Sequence, residues 1–393
     1  MQYNFDEILD RQGTNGSKWE QAEAIFGEPD LLPLWVADMD FRGPEPVLEA
    51  LKQRAELGIF GYTHRPDSLY EAIAEWVERR HQWTIDKQWI CWSPGVIPAL
   101  AACVQTFTEP GDRIIIQPPV YPPFFHVVKD HGRELVTNPL RCTDGRYEID
   151  FQDLEQKFKT SGAKMLILCS PHNPVGRVWS REELQRLESI CSDYGALLVS
   201  DEIHADLTYP PYRHTPFASL SGRAAERTVV CLAPSKTFNL AGLQSSYIII
   251  ADKELREAFN KAMAAGHYTM SNTFAITASE SAYRHGGEWL DQCLAYIRAN
   301  LEYAVAFIGQ HIPEIQATAP EGTYLLWLDC RGLGLETAEL KAFMLKEAQV
   351  ALSEGINFGP EGAGYMRLNA ACRRAMLEEA LLRIAAAAAA RRS

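Results

Sequence analysis

The sequence predicts an α/β protein, with a mainly parallel sheet covered by helices on both faces and a smaller α+β unit joined to it. Three features lead there. Between about residues 89 and 251, short apolar runs each end in a polar or glycine–proline cluster and give way to a helical stretch, the pattern of parallel strands linked by helical crossovers. After about residue 285 that alternation stops. A length of 393 residues, 47% of them hydrophobic and 23% charged, is enough for two domains and a large core.

Taken in order, residues 1–30 are polar and weakly periodic, with a turn at Gly13-Thr-Asn-Gly16. The stretch Leu31 to Phe41 then sets apolar residues beside Asp38 and Asp40. It reads either as a core-packing arm with its acids in water or as a site lining. A helix begins at Pro46, followed by a glycine-spaced aromatic loop at Gly58 to Thr63. Ser68 and Glu71 read as a capping box opening an amphipathic helix with Leu69, Ile73, Trp76 and Val77 on one face. A strand at Trp89 to Ser93 turns at Gly95 into an apolar helix from Val96 to Phe107. Such a helix start aims backbone N–H groups and the positive dipole end at an anion.

Buried strands follow at Arg113–Gln117, Lys164–Cys169, Ala196–Ser200, Val229–Leu232 and Ser245–Ala251, with Ser180 and Glu183 capping a helix between the second and third. Beyond residue 285 come a long helix (Glu288 to Gln310), an alternating strand (Thr323 to Asp329) and a helix over about 337–350. The chain ends with a strand (Gly364 to Asn369) and a helix that includes the alanine run Ala385 to Ala390. The domains expected are a large one over 48–285 and a small one built from 1–47 with 286–393.

Composition excludes several function classes. A formal net charge of −13 opposes binding to nucleic acid or an anionic membrane, since both need a basic face. No apolar run approaches the ~18 residues of a membrane span, and Met1 to Glu7 lacks a basic and apolar leader. Nine scattered cysteines with no C-x-x-C pair read as reduced thiols in a cytoplasmic protein, with no metal cage. Gly359, Gly362 and Gly364 neither follow a strand nor open a helix, so they form no dinucleotide fingerprint.

Three polar residues fall after consecutive strands: Asn173, Asp201 and Lys236. Ligands of open α/β sheets collect outside the carboxyl ends of the strands, so these three should converge on one crevice. A lysine desolvated there loses charge and becomes a candidate amine nucleophile. Together the three suit pyridoxal phosphate: an amine for its aldehyde, a carboxylate to keep the ring nitrogen protonated, and a donor for its phenolic oxygen. Tyr121 could stack on the ring, and the helix start at Gly95 could take the phosphate.

Ser-Pro-His-Asn173-Pro-Val-Gly, Ser-Asp201-Glu-Ile-His204 and Ala-Pro-Ser-Lys236-Thr-Phe-Asn resemble, in order and spacing, the fold-type I pyridoxal-phosphate enzymes of the class I/II aminotransferase superfamily. The resemblance covers nearly the whole chain. Within that group, Arg11 to Trp19, Pro33 to Phe41, and His204 where aminotransferases usually carry a tyrosine look most like the cystathionine β-lyases of MalY/PatB type, which are C–S lyases. This resemblance implies Lys236 as Schiff-base lysine and proton carrier and Asp201 as partner of the ring nitrogen. It sets Asn173 and His204 by the phenolic oxygen and Tyr121 on the ring face. Gly95, Val96 and Ser235 would surround the phosphate, Tyr62 would reach the phosphate of a neighbouring subunit in a homodimer, and Arg367 would grip the α-carboxylate of an amino-acid substrate. One departure is Gln244, where many aminotransferases place a phosphate-binding arginine. The implied reaction is elimination of a thiol from L-cystathionine or another S-substituted cysteine. Two alternatives are transamination, which would use the same residues, and a regulatory role that keeps the fold without turnover; no DNA-binding segment is read ahead of residue 1.

Overall fold

The computed structural model describes residues 1–392. Its centre is a seven-stranded sheet formed by β1 (Ile90–Ser93), β2 (Arg113–Ile116), β3 (Glu134–Thr137), β4 (Met165–Cys169), β5 (Leu197–Asp201), β6 (Thr228–Leu232) and β7 (Ser246–Ile249). The spatial order is β1-β7-β6-β5-β4-β2-β3. Pairs among β2 to β6 are parallel, whereas β7 runs antiparallel to both β6 and β1. Six strands therefore end at one edge of the sheet, and β7 begins there. That reversal brings Gln244 and Ser245, just before β7, to the edge where the others deliver their C-terminal loops.

Strand periodicity divides the core. Side chains alternate across a sheet, so Ile114, Ile116, Met165 and Ile167 pack on one face against Val96, Leu100, Phe124 and Phe259. Ile115, Leu166 and Leu168 pack on the other against Leu154, Phe158, Leu184 and Leu187. Burial on both faces explains why these strands are continuous apolar runs rather than alternating ones. Ser180 caps its helix as expected: Glu183 N–H donates to Ser180 Oγ (3.2 Å), and Ser180 N–H donates to Glu183 Oε2 (2.7 Å).

The second expected capping box does not form. The helix over Asp67–His81 starts from Pro66, whose extended backbone (φ −76°, ψ 156°) sets the entry, and no side chain caps it. Ser68 already lies inside the first turn, so its hydroxyl cannot serve as the cap. The turn Pro234–Thr237 winds into a short helix, so Lys236 projects from a helical turn after β6 rather than from a strand end.

After His285 come the helix Gly287–His311 and a four-stranded antiparallel sheet ordered Gln316–Ala317, Leu325–Asp329, Tyr365–Asn369, Ser353–Glu354. The helix expected over about 337–350 ends sooner, as Thr337–Ala342 followed by a π-helical turn at Phe343–Glu347. Leu32–Pro33 pairs in parallel with Val350–Ala351, which joins the N-terminal arm to this region. All nine cysteines are free thiols, eight of them buried and Cys142 exposed. Among the described residues, no helix is long and apolar enough to cross a membrane.

The acids of the arm are not solvated. Asp40, 8% exposed, takes Lys18 Nζ at 2.6 Å, Arg11 Nη1 at 2.5 Å and Trp19 Nε1 at 3.0 Å. Burial alone would raise its carboxyl, but the charge and hydrogen bond of Lys18, with Trp19 and Arg11, together outweigh that and carry it below the usual carboxylate range. Asp38 pairs with Arg11 Nη2 at 2.8 Å. Leu34, Met39 and Phe41 enter the core, while Trp35, Val36 and Ala37 line the cavity at the sheet edge. The arm is thus both core and site lining.

Candidate active site

A cavity of ≈ 710 Å³ opens at the common edge of the sheet. Asn173, Asp201, His204, Lys236, Tyr121, Gly95, Val96, Ser235 and Arg367 all line it. The three residues expected from the strand ends, Asn173, Asp201 and Lys236, thus meet in one crevice. Tyr62 is the exception: it is 94% exposed and lies in a separate surface depression with Arg65, Tyr70 and Met270. Within one chain it does not reach this cavity.

Lys236 Nζ donates to the carbonyl of Ala37 at 2.7 Å. Burial lowers the lysine to about 8, and the nearby Arg367 charge adds to that, against opposing pulls from Asp38 and Asp201. Asp201 is the last residue of β5; its Oδ1 accepts the Ile203 N–H at 3.1 Å. Burial pushes its carboxyl up to about 7. His204 is also buried, its Nδ1 has no partner within the chain, and desolvation holds it well below the ordinary histidine range, hence neutral. Behind the lysine turn, Thr237 Oγ1 donates to the buried carboxylate of Asp206 (2.8 Å), which also accepts Trp76 Nε1 (3.1 Å) and faces His81 Nε2 (3.1 Å). That carboxylate ties the turn to the Asp67–His81 helix.

Arg367, in the strand Tyr365–Asn369, donates through Nη1 to Asn173 Oδ1 (3.1 Å) and through Nη2 to the Trp35 carbonyl (2.8 Å) and Ser353 Oγ (3.1 Å). Its Nε is buried without a partner in the chain, and burial lowers the guanidinium to about 10. An arginine this buried with a spare donor is placed for a carboxylate rather than for a surface ion pair. Also on the cavity lining, Gly95 precedes the helix Val96–Phe107 and no side chain caps that helix. The first-turn N–H groups of Val96 and Ile97 are therefore free of a capping side chain, a ready anion seat. A Cβ on Gly95 would meet Pro98 Cδ at 3.3 Å. Gln244 also lines the cavity.

Several lining residues were not anticipated from sequence: Ser353, Asn357, Phe358 and Tyr268; nor was Tyr324, whose Oη donates to the carbonyl of the lining residue Ala37. None carries a motif; Phe358 is found only by packing, its ring lying 5.0 Å from the Arg367 guanidinium.

A buried amine, a buried carboxylate that lacks a cationic partner, an orphan imidazole nitrogen and an uncapped helix start surround one cavity. These are the complements of the aldehyde, ring nitrogen, phenolic oxygen and phosphate of pyridoxal phosphate, so the donor set fits that cofactor. Fold and site together define a pyridoxal-phosphate enzyme of fold type I. The chain belongs to the aminotransferase class I and II family, whose model matches residues 29–384.

Among its relatives, the cystathionine β-lyase PatB of Bacillus subtilis is 48% identical over 384 residues, 98% of this chain and 99% of that protein. Protein MalY of Escherichia coli is 32% identical, covering 96% of each. Of solved structures, cystalysin from Treponema denticola, which contains pyridoxal 5'-phosphate, superposes with a TM-score of 0.95 at 39% identity, over 98% of this chain and 99% of that one. A PLP-bound putative aminotransferase from Clostridium difficile gives 0.97 at 44% identity, over 98% and 100%.

Proposed function

We infer that this chain is a pyridoxal-phosphate-dependent C–S β-lyase that converts L-cystathionine, or a related S-substituted L-cysteine, and water to a thiol, pyruvate and ammonia. The observation that carries this is the convergence of Lys236, Asp201, Asn173 and Arg367 on one cavity, in a chain 48% identical to a cystathionine β-lyase. When bound, the cofactor supplies an aldehyde for the substrate amine and a cationic ring that accepts the electron pair left when the Cα–H bond breaks.

The rest falls to side chains of this protein. Arg367 grips the α-carboxylate with Asn173 beside it, which orients the Cα–H bond. Lys236, neutral in a large fraction of molecules near pH 8, takes the Cα proton. Asp201 keeps the ring nitrogen protonated. Asn173 and neutral His204 would meet the phenolic oxygen, and Tyr121 would cover the ring face. The N–H groups at Val96 and Ile97, with Ser235, would hold the phosphate, and Gln244 would contribute no charge to it. The leaving thiolate departs from Cβ and is released as the thiol.

An aminotransferase would use the same residues, so substrate outcome decides. Purified enzyme given L-cystathionine and no keto acid is expected to form thiol and pyruvate in many-fold excess over enzyme. A strict keto-acid requirement would reject the lyase reading.

The same reading takes the protein as a cytoplasmic homodimer, with a large domain over 48–285 and a small one from 1–47 with 286–393. In support, Tyr62 stands out among exposed apolar neighbours: Leu57, Ile59, Phe60 and Met270 are 62%, 65%, 58% and 54% exposed. An apolar patch of that kind marks an interaction surface. Light scattering should return twice the 44.1 kDa chain mass, and Tyr62→Ala should weaken cofactor retention. A monomer with full activity would refute both statements.

A further inference from the structure

Five consecutive carbonyls of the N-terminal arm are each held by a side chain from elsewhere in the fold. Trp35 O accepts Arg367 and Ser353 Oγ (2.8 and 2.9 Å), Val36 O accepts Asn369 Nδ2 (2.7 Å), and Asp38 O accepts the same amide (2.6 Å). Met39 O accepts Asn239 Nδ2 (2.9 Å). At the middle of this strap, Ala37 O takes two donors: Lys236 Nζ at 2.7 Å and Tyr324 Oη at 2.9 Å. Tyr324 is buried, 1% exposed, and Lys236 half-buried, and the Tyr324 ring meets the His204 ring edge-on at 6.0 Å.

We propose that the Ala37 carbonyl, clamped by Tyr324, is the resting acceptor of the Lys236 amine whenever that amine is not bonded to the cofactor, and that Tyr324 is therefore a positioning residue for proton transfer. This rests on reading Lys236 as the proton carrier. A neutral amine that donates one N–H to a fixed oxygen keeps its lone pair in a defined direction, which is what a base needs. Once it holds the Cα proton, the ammonium makes a charge-assisted bond to the same oxygen, roughly twice as strong as a neutral one. The strap favours the protonated product of the step without moving. It also links tasks two residues apart, since Trp35 O contacts the carboxylate-gripping Arg367.

The charged and titratable groups facing Lys236 are Arg367, Asp38, Asp201 and His204, with Tyr324 beside them. All four stay in place when Tyr324→Phe removes a single hydroxyl and keeps the ring. The test uses two readouts. Cofactor-free protein is acetylated with an N-hydroxysuccinimide ester across a pH series, and the Lys236 peptide is followed by mass spectrometry. The variant should shift the labelling midpoint downward by half a pH unit or more, because an unclamped carbonyl supports the ammonium less. In the loaded enzyme, kcat for L-cystathionine should fall about tenfold with KM within twofold. A midpoint that is unchanged or raised overturns the proposal, and so does an unchanged kcat. If the unaltered protein were inactive on L-cystathionine, the lyase reading would fail, while the labelling result would still judge the strap.

Discussion

Lys236→Ala is expected to cut pyruvate release from L-cystathionine by roughly 10³–10⁴-fold, the upper part of the range for a general base. The variant should also lose the yellow colour of the enzyme and its labelling by borohydride at that position. The size of the effect follows from the cavity. Lys236 is the only lysine among its lining residues, so no neighbour can substitute. Burial sets it near 8, which leaves about half of the amine neutral at pH 8, against roughly one part in three hundred for an ordinary lysine near 10.4. By lowering the lysine, burial makes its neutral, proton-accepting form more available near pH 8 than an exposed lysine would be. Colour and turnover that survived the substitution would place the cofactor bond elsewhere.

The sequence revealed this centre because each of its parts sits where a strand hands over to a loop. Asn173, Asp201 and Lys236 are local to β4, β5 and β6, and the direction of those strands is readable from their apolar runs. What could not be read depends on long-range pairing. Nothing near Ser245 tells that β7 runs antiparallel, yet that reversal is what delivers Gln244 to the cavity. The acids of the arm looked destined for water because their partners, Arg11 and Lys18, lie more than twenty residues away and carry no periodic signal. Tyr324 is one aromatic residue before a strand, and only the tertiary fold shows that its hydroxyl shares an oxygen with the catalytic amine. Ser68 failed as a cap for a local reason: Pro66 starts the helix two residues too early for it.

Asp201→Asn is the substitution in which function and stability should separate. In the loaded enzyme, the proposed role of this carboxylate is to bond to a protonated ring nitrogen. Replacing a charge-assisted bond by a neutral one removes about 1–2 kcal/mol, so kcat should fall roughly 5- to 30-fold. In the cofactor-free protein the sign reverses. Burial holds the Asp201 carboxyl up at about 7, from 3.8, so the folded chain binds this proton more tightly than the unfolded chain does. Its contribution is complete below pH 4 and is lost as pH rises through 4 to 7. By pH 8 the ionised group costs the folded state on the order of 4 kcal/mol. Asparagine keeps the shape and can still accept the Ile203 N–H, without the charge. Urea unfolding of the cofactor-free forms should therefore find Asp201→Asn more stable than the parent at pH 8 and equal to it at pH 4. Saturation with cofactor should narrow or invert the gap, since the ring then supplies the cation that the buried carboxylate lacks. Equal stability of the two cofactor-free proteins at pH 8 would mean that Asp201 is not held ionised against its surroundings. In that case, it would not be the group that keeps the ring nitrogen protonated.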